Sequence, residues 1–220
     1  MNDFIELLPY VIVVKNGIKN HTEILNETLK RNFREPWNDA YDHSLPGSDA
    51  SIFDESNSGD GELQGSKTLF GLYENLRELF VGYIDHFNLR HLLVEPLYTG
   101  NYSMKEYPTG ASLGIHRDYG AFSKFNQEIP CSITINAYLN DDYHGGELVI
   151  YDSTLPFDHP STDESLVPLT AYKPAAGDAI IFPSIMLHSV NKVTSGTRYG
   201  LNIRLKESAQ PTWFNFLAGI

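Results

Sequence analysis

Three side chains in this sequence, His116, Asp118 and His188, are of the types that bind a redox-active metal ion. Two histidines and one carboxylate can hold one face of an octahedral iron(II) ion and leave the opposite face open. A centre of this kind would bring a co-substrate and O2 to the metal on that open face. The prediction depends on whether the elements that carry the three residues bring them together.

The spacing His-x-Asp is weak evidence by itself, because a chain with 8 His and 28 acidic residues among 220 has about one such pair by chance. A second pair is His21 and Glu23. It lies in residues 18–33, whose apolar spacing predicts a helix, and on a helix positions i and i+2 point in different directions. His116 and Asp118 lie in sequence without helical periodicity, and on a strand such positions share a face. We therefore predict that His116 and Asp118 converge on one ion and that His21 has no such role.

The composition indicates a soluble protein of a reducing compartment. A length of 220 residues with 41% hydrophobic content allows one domain with a sizeable core. The single cysteine, Cys131, excludes an internal disulfide and a cysteine-rich zinc site. The N-terminal sequence has no basic leader and only a short apolar run, so we expect no membrane partner and a cytoplasmic location. The net charge of −12 makes nucleic acid a poor partner, since phosphate binding needs a basic surface.

The first part of the chain is predicted to be mainly helical, with one long polar interruption. The predicted elements are a strand at residues 9–15, a helix at residues 18–33 and a helix at residues 68–87 with a continuous apolar side. Residues 38–66 have no periodicity, and between Glu35 and Ser66 there are eight acidic residues and no Lys or Arg. A segment of this length and charge is typical of a lid, a binding loop or disorder.

From Leu92 onward the pattern changes to short strands separated by turn residues. The predicted strands are residues 93–106, 111–118, 131–139, 146–151, 166–172, 178–182, 186–191 and 197–205. This pattern favours a mainly β fold, a sandwich or jelly roll, with the N-terminal helices packed on one sheet. Apolar and polar residues alternate along the last strand, so that Arg198 and Arg204 share one face. If that face is buried, the two guanidiniums need anions, because an unpaired buried charge is costly.

Several short motifs of this chain recur in the same order in a known family. They are His116-x-Asp118, Tyr138-Leu139-Asn140, Gly145-Gly146-Glu147-Leu148, Gly177-Asp178, Phe182-Pro183-Ser184, Leu187-His188-Ser189-Val190 and Gly196-x-Arg198. In these motifs, over about residues 100–205, the chain resembles the 2-oxoglutarate and iron(II)-dependent dioxygenases, above all their prolyl 4-hydroxylase-like branch. The resemblance implies a double-stranded β-helix, which is a jelly-roll variant. We accordingly expect one domain over residues 1–220, in which residues 1–90 support a core at residues 91–205 and residues 206–220 form a tail.

The resemblance also implies roles for individual residues. His116, Asp118 and His188 would be the iron ligands, and Arg198 would bind the remote carboxylate of 2-oxoglutarate, to which a planar guanidinium is well suited. Tyr107 matches a tyrosine of the family whose hydroxyl helps to hold that carboxylate. The implied reaction uses iron(II), 2-oxoglutarate and O2 to hydroxylate an unactivated C–H bond, with succinate and CO2 as co-products.

The sequence leaves the substrate open. The resemblance to the prolyl 4-hydroxylase-like branch implies that the substrate is a prolyl residue of a peptide or protein. The acidic segment 38–66 would favour a basic peptide or protein. Arg204 stands where members of the family often carry a tryptophan, and we hypothesise that it contacts an anionic group of the substrate, as in a hydroxylase of free amino acids or small molecules. Two further alternatives are a cupin-like metalloenzyme that does not use 2-oxoglutarate and a non-catalytic jelly-roll module.

Overall fold

The computed structural model describes residues 4–30, 35–36, 43–44, 48–53, 67–92, 97–99, 102–118, 131–152 and 166–207. The helices of this part of the chain are α1 (His21–Leu29) and α2 (Lys67–His86), and Arg90–Leu92 form a short 3-10 helix. The strands are β1 (Phe4–Leu8), β2 (Val11–Val14), β3 (Glu35–Pro36), β4 (His43–Ser44), β5 (Ser48–Phe53), β6 (Leu97–Thr99), β7 (Tyr102–Pro108), β8 (Ser112–His116), β9 (Cys131–Tyr138), β10 (His144–Gly145), β11 (Leu148–Tyr151), β12 (Pro168–Tyr172), β13 (Ala179–Pro183), β14 (His188–Val190), β15 (Val193–Ser195) and β16 (Thr197–Glu207). Neither helix of the described ranges has the length and apolar character that crossing a membrane requires.

Most strands belong to two antiparallel sheets that pack face to face. The larger sheet has the order β1-β2-β13-β9-β16-β7-β5-β3, and β6 pairs with the far end of β16. The smaller sheet has the order β12-β11-β14-β8-β4. A separate ribbon joins β10 to β15. The predicted architecture, mainly β with N-terminal helices, is confirmed.

One face of the larger sheet is covered by the helices. On β9 this face carries Ile133, Ile135 and Ala137, which belong to the same buried cluster as the apolar side of α2. The buried hydrophobic residues of α2 are Leu72, Leu76, Leu79, Phe80, Tyr83 and Ile84. Burial of one such side chain stabilises the fold by roughly 1.5–3 kcal/mol. The apolar stripe predicted for residues 68–87 is therefore packed on the sheet, as expected.

The opposite face of the larger sheet looks toward the smaller sheet and is partly polar. The side chains that alternate onto it are Thr134, Asn136 and Tyr138 of β9 and Arg198, Asn202 and Arg204 of β16. Tyr138 packs in one cluster with Leu148 and Ile150 of β11, which places this face in the interior between the sheets. The predicted alternation of the last strand is therefore present, and its two arginines face the interior.

The N-terminal elements differ in extent from their predictions. The helix expected at residues 18–33 begins only at His21, because Asn20 before it has a left-handed backbone with φ 55°. It extends to Leu29, and residues 31–33 of the prediction lie outside the described residues. The strand expected at residues 9–15 is the second half of a hairpin, in which β1 folds back at Tyr10, also at positive φ. The sequence analysis missed β1, whose partly exposed residues do not alternate in polarity.

The acidic segment at residues 38–66 was expected to lack regular structure, and for part of it that expectation is wrong. Strand β4 pairs with β8, and strand β5 pairs with β7. The edge of a sheet offers unpaired backbone groups, which a segment of weak intrinsic preference can join. The rest of the acidic segment lies outside the described residues, as does the predicted tail beyond residue 207.

Candidate metal centre and anion pocket

The two predicted histidines face each other across neighbouring strands of the smaller sheet. His116 is the last residue of β8 and His188 the first of β14, and the two are direct partners in the antiparallel register. Their ring centroids are 4.1 Å apart. Asp118 lies two residues beyond the end of β8, where its backbone N–H donates to the carbonyl of Ser184 over 3.0 Å.

The carboxylate of Asp118 completes a cluster with the geometry of a metal site. Asp118 Oδ1 lies 3.7 Å from His116 Nε2, and Asp118 Oδ2 lies 3.8 Å from His188 Nε2. One ligand atom from each of the three residues lies within 4.8 Å of the others. The side chains of His188 and Asp118 are 2% and 0% exposed, whereas His116 is 29% exposed and gives the cluster its solvent-facing side. Two imidazoles and one carboxylate are the donor set that suits iron(II).

Both imidazoles are oriented by the backbone. His116 Nδ1 donates to the carbonyl of Gly114 over 2.8 Å, and His188 Nδ1 donates to the carbonyl of Met186 over 3.0 Å. A proton on Nδ1 leaves the lone pair of Nε2 for a metal ion. Burial, followed by the neighbouring His188, lowers the pKa of His116 to about 3, which keeps this ring neutral at physiological pH.

The carboxylate of Asp118 is held by the hydroxyl of Thr134, which in turn is bonded to that of Ser184, and the sequence analysis identified neither. Thr134 Oγ1 donates to Asp118 Oδ2 over 2.8 Å and lies 2.9 Å from Ser184 Oγ. Thr134 and Ser184 are fully buried. The alternation along β9 could have placed Thr134 on the interior face, but nothing in the sequence connects that face with Asp118.

The second oxygen of Asp118 is paired with Arg204. The distance from Arg204 Nη2 to Asp118 Oδ1 is 2.6 Å, yet the two groups are not aligned for a hydrogen bond. Burial alone would raise the pKa of Asp118, but Arg204, both histidines and the Thr134 bond together hold it well below its usual range. The residue predicted to contact a substrate anion therefore contacts the carboxylate of the metal cluster.

Arg198 is a buried guanidinium without an acidic partner among the described residues. Its side chain is 3% exposed, and its Cζ lies 4.5 Å from the ring centroid of Tyr107 and 5.0 Å from that of Tyr138. Among the described residues, no hydrogen bond of good geometry is made by its Nε and Nη1 or by the hydroxyls of Tyr138 and Tyr143. A buried cation beside unpaired hydroxyls fits a carboxylate ligand, which could accept from the guanidinium and from the hydroxyls.

The structure places Tyr107 next to Arg198, as the resemblance implied, since the two residues are direct partners between β7 and β16. Tyr138 and Tyr143 were not assigned a role from the sequence, where a buried tyrosine cannot be distinguished from an ordinary core aromatic. The glycine pair beside them is structural. Gly146 has φ +69°, and a Cβ there would lie 3.1 Å from both Arg198 Cδ and Tyr143 Cε2.

Unpaired buried polar atoms are concentrated at this site. In the described ranges, the buried side-chain nitrogen and oxygen atoms without a hydrogen-bond partner belong to Asp118, Tyr138, Tyr143, Arg198 and Arg204. Folded proteins leave few such groups unpaired, because each costs free energy. Their concentration on one interior face therefore fits a metal ion and an anionic ligand.

Comparison with known proteins agrees with this geometry. Residues 102–204 match the model of the 2OG-Fe(II) oxygenase superfamily. A PKHD-type hydroxylase of Delftia acidovorans is 37% identical over 99 residues, which are 42% of this chain and 37% of that protein. The chain thus spans well under two thirds of this relative.

Solved structures resemble the whole fold. A prolyl-4-hydroxylase of Pseudomonas putida has a TM-score of 0.63 at 15% identity, covering 91% of this chain and 94% of that one. A prolyl hydroxylase of Trichoplax adhaerens, solved with a peptide of hypoxia inducible factor, has a TM-score of 0.61 at 17% identity, covering 90% and 84%. These similarities confirm the predicted jelly-roll fold.

Proposed function

We propose that this chain belongs to the 2OG-Fe(II) oxygenase superfamily, whose model matches residues 102–204, and that it is a hydroxylase of unactivated C–H bonds. The observation that carries the proposal is a cluster of His116, Asp118 and His188 beside a buried Arg198 guanidinium that has no acidic partner among the described residues. A metal site alone would fit many enzymes. The buried Arg198 guanidinium fits a co-substrate that has a carboxylate remote from the metal.

The proposed roles follow from what each residue offers. His116 and His188 would bind iron(II) through Nε2, and Asp118 through one carboxylate oxygen. Thr134 and the two backbone carbonyls would hold these ligands in place. With iron bound, 2-oxoglutarate and O2 supply the oxidation that converts a C–H bond to C–OH, yielding succinate and CO2.

Arg198 would bind the remote carboxylate of 2-oxoglutarate, with the hydroxyls of Tyr138 and Tyr143 as further donors. Tyr107 would support the guanidinium through its ring face. Because Arg198 is nearly fully buried, its attraction for an anion is weakly screened by water. Burial also keeps water away from the reacting groups.

We propose a prolyl residue of a peptide or protein as the substrate. The prolyl hydroxylases among the structural neighbours and the PKHD-type hydroxylase relative support this class. A free amino acid or another small acid is the second candidate, and Arg204 favours it, since a guanidinium at the site suits a carboxylate. The fold alone does not decide between them.

The cofactor proposal is tested by anaerobic titration of the metal-free protein with iron(II) and then 2-oxoglutarate, following the visible charge-transfer band of the chelate. We expect a band that His116→Ala abolishes and that needs far more 2-oxoglutarate in Arg198→Ala. If iron binds but no band forms, the cupin-like alternative replaces the proposal. If no metal binds, the protein is not an oxygenase.

The substrate proposal is tested by succinate formation from 2-oxoglutarate with a panel of prolyl peptides and a panel of free amino acids. We expect turnover above the uncoupled background with peptides. If only free acids stimulate turnover, the second candidate is correct, and Arg204→Leu should then raise KM for the acid but not for 2-oxoglutarate. Equal changes in both KM values would refute a substrate role for Arg204.

A further inference from the structure

Each oxygen of Asp118 has a close polar neighbour among the described residues. Oδ2 accepts the hydrogen bond of Thr134 over 2.8 Å, and Oδ1 lies 2.6 Å from Arg204 Nη2. In the described part of the chain, Asp118 is the acidic group with which Arg204 forms an ion pair. A metal held by the two histidines and bound at Oδ1 would therefore meet the Arg204 guanidinium at that oxygen.

Thr134 and Arg204 differ in how firmly each is held at Asp118. The Thr134 bond is aligned, fully buried and braced by Ser184. The Arg204 pair is not aligned as a hydrogen bond, and the arginine side chain is 29% exposed. Arg204 can therefore leave Asp118 toward water, whereas Thr134 cannot.

A bound metal would also repel Arg204. With Nη2 2.6 Å from Oδ1 and a metal–oxygen bond of about 2.1 Å, the guanidinium would lie at most about 4.7 Å from a divalent cation. Like charges at that distance in a partly buried site repel strongly. The Arg204 side chain is 29% exposed, so a displaced guanidinium could turn toward water.

We infer that Arg204 is the counter-ion of the metal-free site, that metal binding displaces it from Asp118, and that the released guanidinium then binds an anionic group of the substrate. Arg204 thereby couples the two events, because it is available to an anion only after the metal has taken its place on Asp118. This inference rests on the proposed metal site, and it narrows the substrates to those that bear a negative charge near the reacting carbon.

The first test is the affinity of the metal-free protein for Zn(II), a redox-inert stand-in for iron(II). Arg204→Gln removes the competing cation, so we expect it to bind Zn(II) roughly tenfold more tightly, equivalent to about 1.4 kcal/mol. Arg117→Gln is the matched control, because it also removes one positive charge. Arg117 lies between His116 and Asp118 in the sequence, and its Nε donates to the carbonyl of Ile185. An equal gain in both variants, or none in Arg204→Gln, would overturn the inference.

The second test follows Arg204 in the wild-type protein, and a variant is needed only to assign its resonance. The ¹⁵Nε resonance of Arg204, assigned by its loss in Arg204→Lys, should shift on addition of Zn(II), while that of Arg117 should not. An Arg204 resonance that stays unmoved while Zn(II) binds would overturn the displacement. If Zn(II) does not bind at all, the proposed function itself fails.

Acetate tests the anion-binding half of the inference. It should shift the Arg204 resonance in the protein loaded with Zn(II) and 2-oxoglutarate, but not in the metal-free protein. A similar response in both forms would overturn the coupling. No response in the loaded form, or an equal response of Arg117, would overturn the anion-binding role.

Discussion

The hydrogen bond from Thr134 to Asp118 gives the sharpest test of how the metal cluster is held. Thr134→Val keeps the shape of the side chain and removes the hydroxyl that donates to Oδ2 over 2.8 Å. The valine leaves one oxygen of a fully buried carboxylate without its donor. The carboxylate is then free to turn toward Arg204 and away from the position in which it faces both histidines.

The expected size of the effect follows from the charge of the acceptor. A hydrogen bond to a charged group contributes roughly 1.5–3 kcal/mol, about twice the value for a neutral pair. At about 1.4 kcal/mol per factor of ten, full loss of that orientation weakens metal binding by roughly 10- to 150-fold. This agrees with the roughly 10- to 100-fold losses usual when a partner of a metal ligand is removed.

The assay is competition for Mn(II) or Zn(II) against a chromophoric chelator, with urea unfolding of the metal-free protein measured in parallel. Thr28→Val is the matched control, because Thr28 is equally buried and its hydroxyl donates to the carbonyl of Ile24 in α1, on the helix side of the sheet. We expect Thr28→Val to lower stability by about 1 kcal/mol and to leave metal affinity unchanged. Wild-type affinity in Thr134→Val, or equal losses in both variants, would refute the reasoning.

Three further predictions follow from the site. Tyr143→Phe removes a hydroxyl that lacks a hydrogen-bond partner among the described residues, so the ligand-free protein should be as stable as the wild type, or more stable, in urea titrations. The same variant should bind 2-oxoglutarate about fivefold more weakly. A destabilised variant with normal 2-oxoglutarate binding would contradict this prediction. Gly146→Ala, at φ +69° and close to Arg198 Cδ, should cost about 1–3 kcal/mol and also raise the Kd for 2-oxoglutarate, and an unchanged Kd would argue against contact with the pocket. Burial lowers the pKa of His116 to about 3, so below about pH 6.5 this histidine binds a proton in the unfolded chain but not in the folded one. The free energy of unfolding should therefore be highest above about pH 6.5 and fall toward pH 3 by up to about 1.4 kcal/mol per pH unit. Urea titrations of the metal-free protein at pH 7 and 5 should show this loss in wild type and in the exposed-site control His144→Asn, but not in His116→Asn.

The alternation of apolar and polar residues in the sequence was enough to predict the central strands, the proximity of His116 to Asp118 and the shared face of Arg198 and Arg204. His116 and Asp118 lie near each other although Asp118 is beyond the end of β8, and Arg198 and Arg204 share the interior face of β16 as the alternation required. The arrangement of the two arginines follows from local geometry, because residues two apart on a strand share a face. The position of Asp118 follows instead from its backbone bond to Ser184. The motifs of the family then connected His188 to the pair.

The partners of these residues could not be predicted, because they depend on which strands are neighbours. Thr134 reaches Asp118 only because β9 adjoins β13, whose following turn contains Ser184. Tyr143 reaches the Arg198 pocket through a loop, which has no periodicity. Strand β5 was missed for the same reason, since its pairing with β7 owes more to an available sheet edge than to its own sequence.

The position of β16 has a consequence for how the chain folds. The last strand of the described residues lies in the middle of the larger sheet, where it joins β9 on one side and β7 on the other. During synthesis, β7 and β9 are made long before it and present unpaired edges until it inserts, and such edges favour aggregation. Because β16 also carries Arg198 and Arg204, the same insertion that closes the sheet assembles the site. Nascent chains that stop before residue 197 should therefore depend on chaperones, and ligand binding should appear only with the final cooperative step of folding.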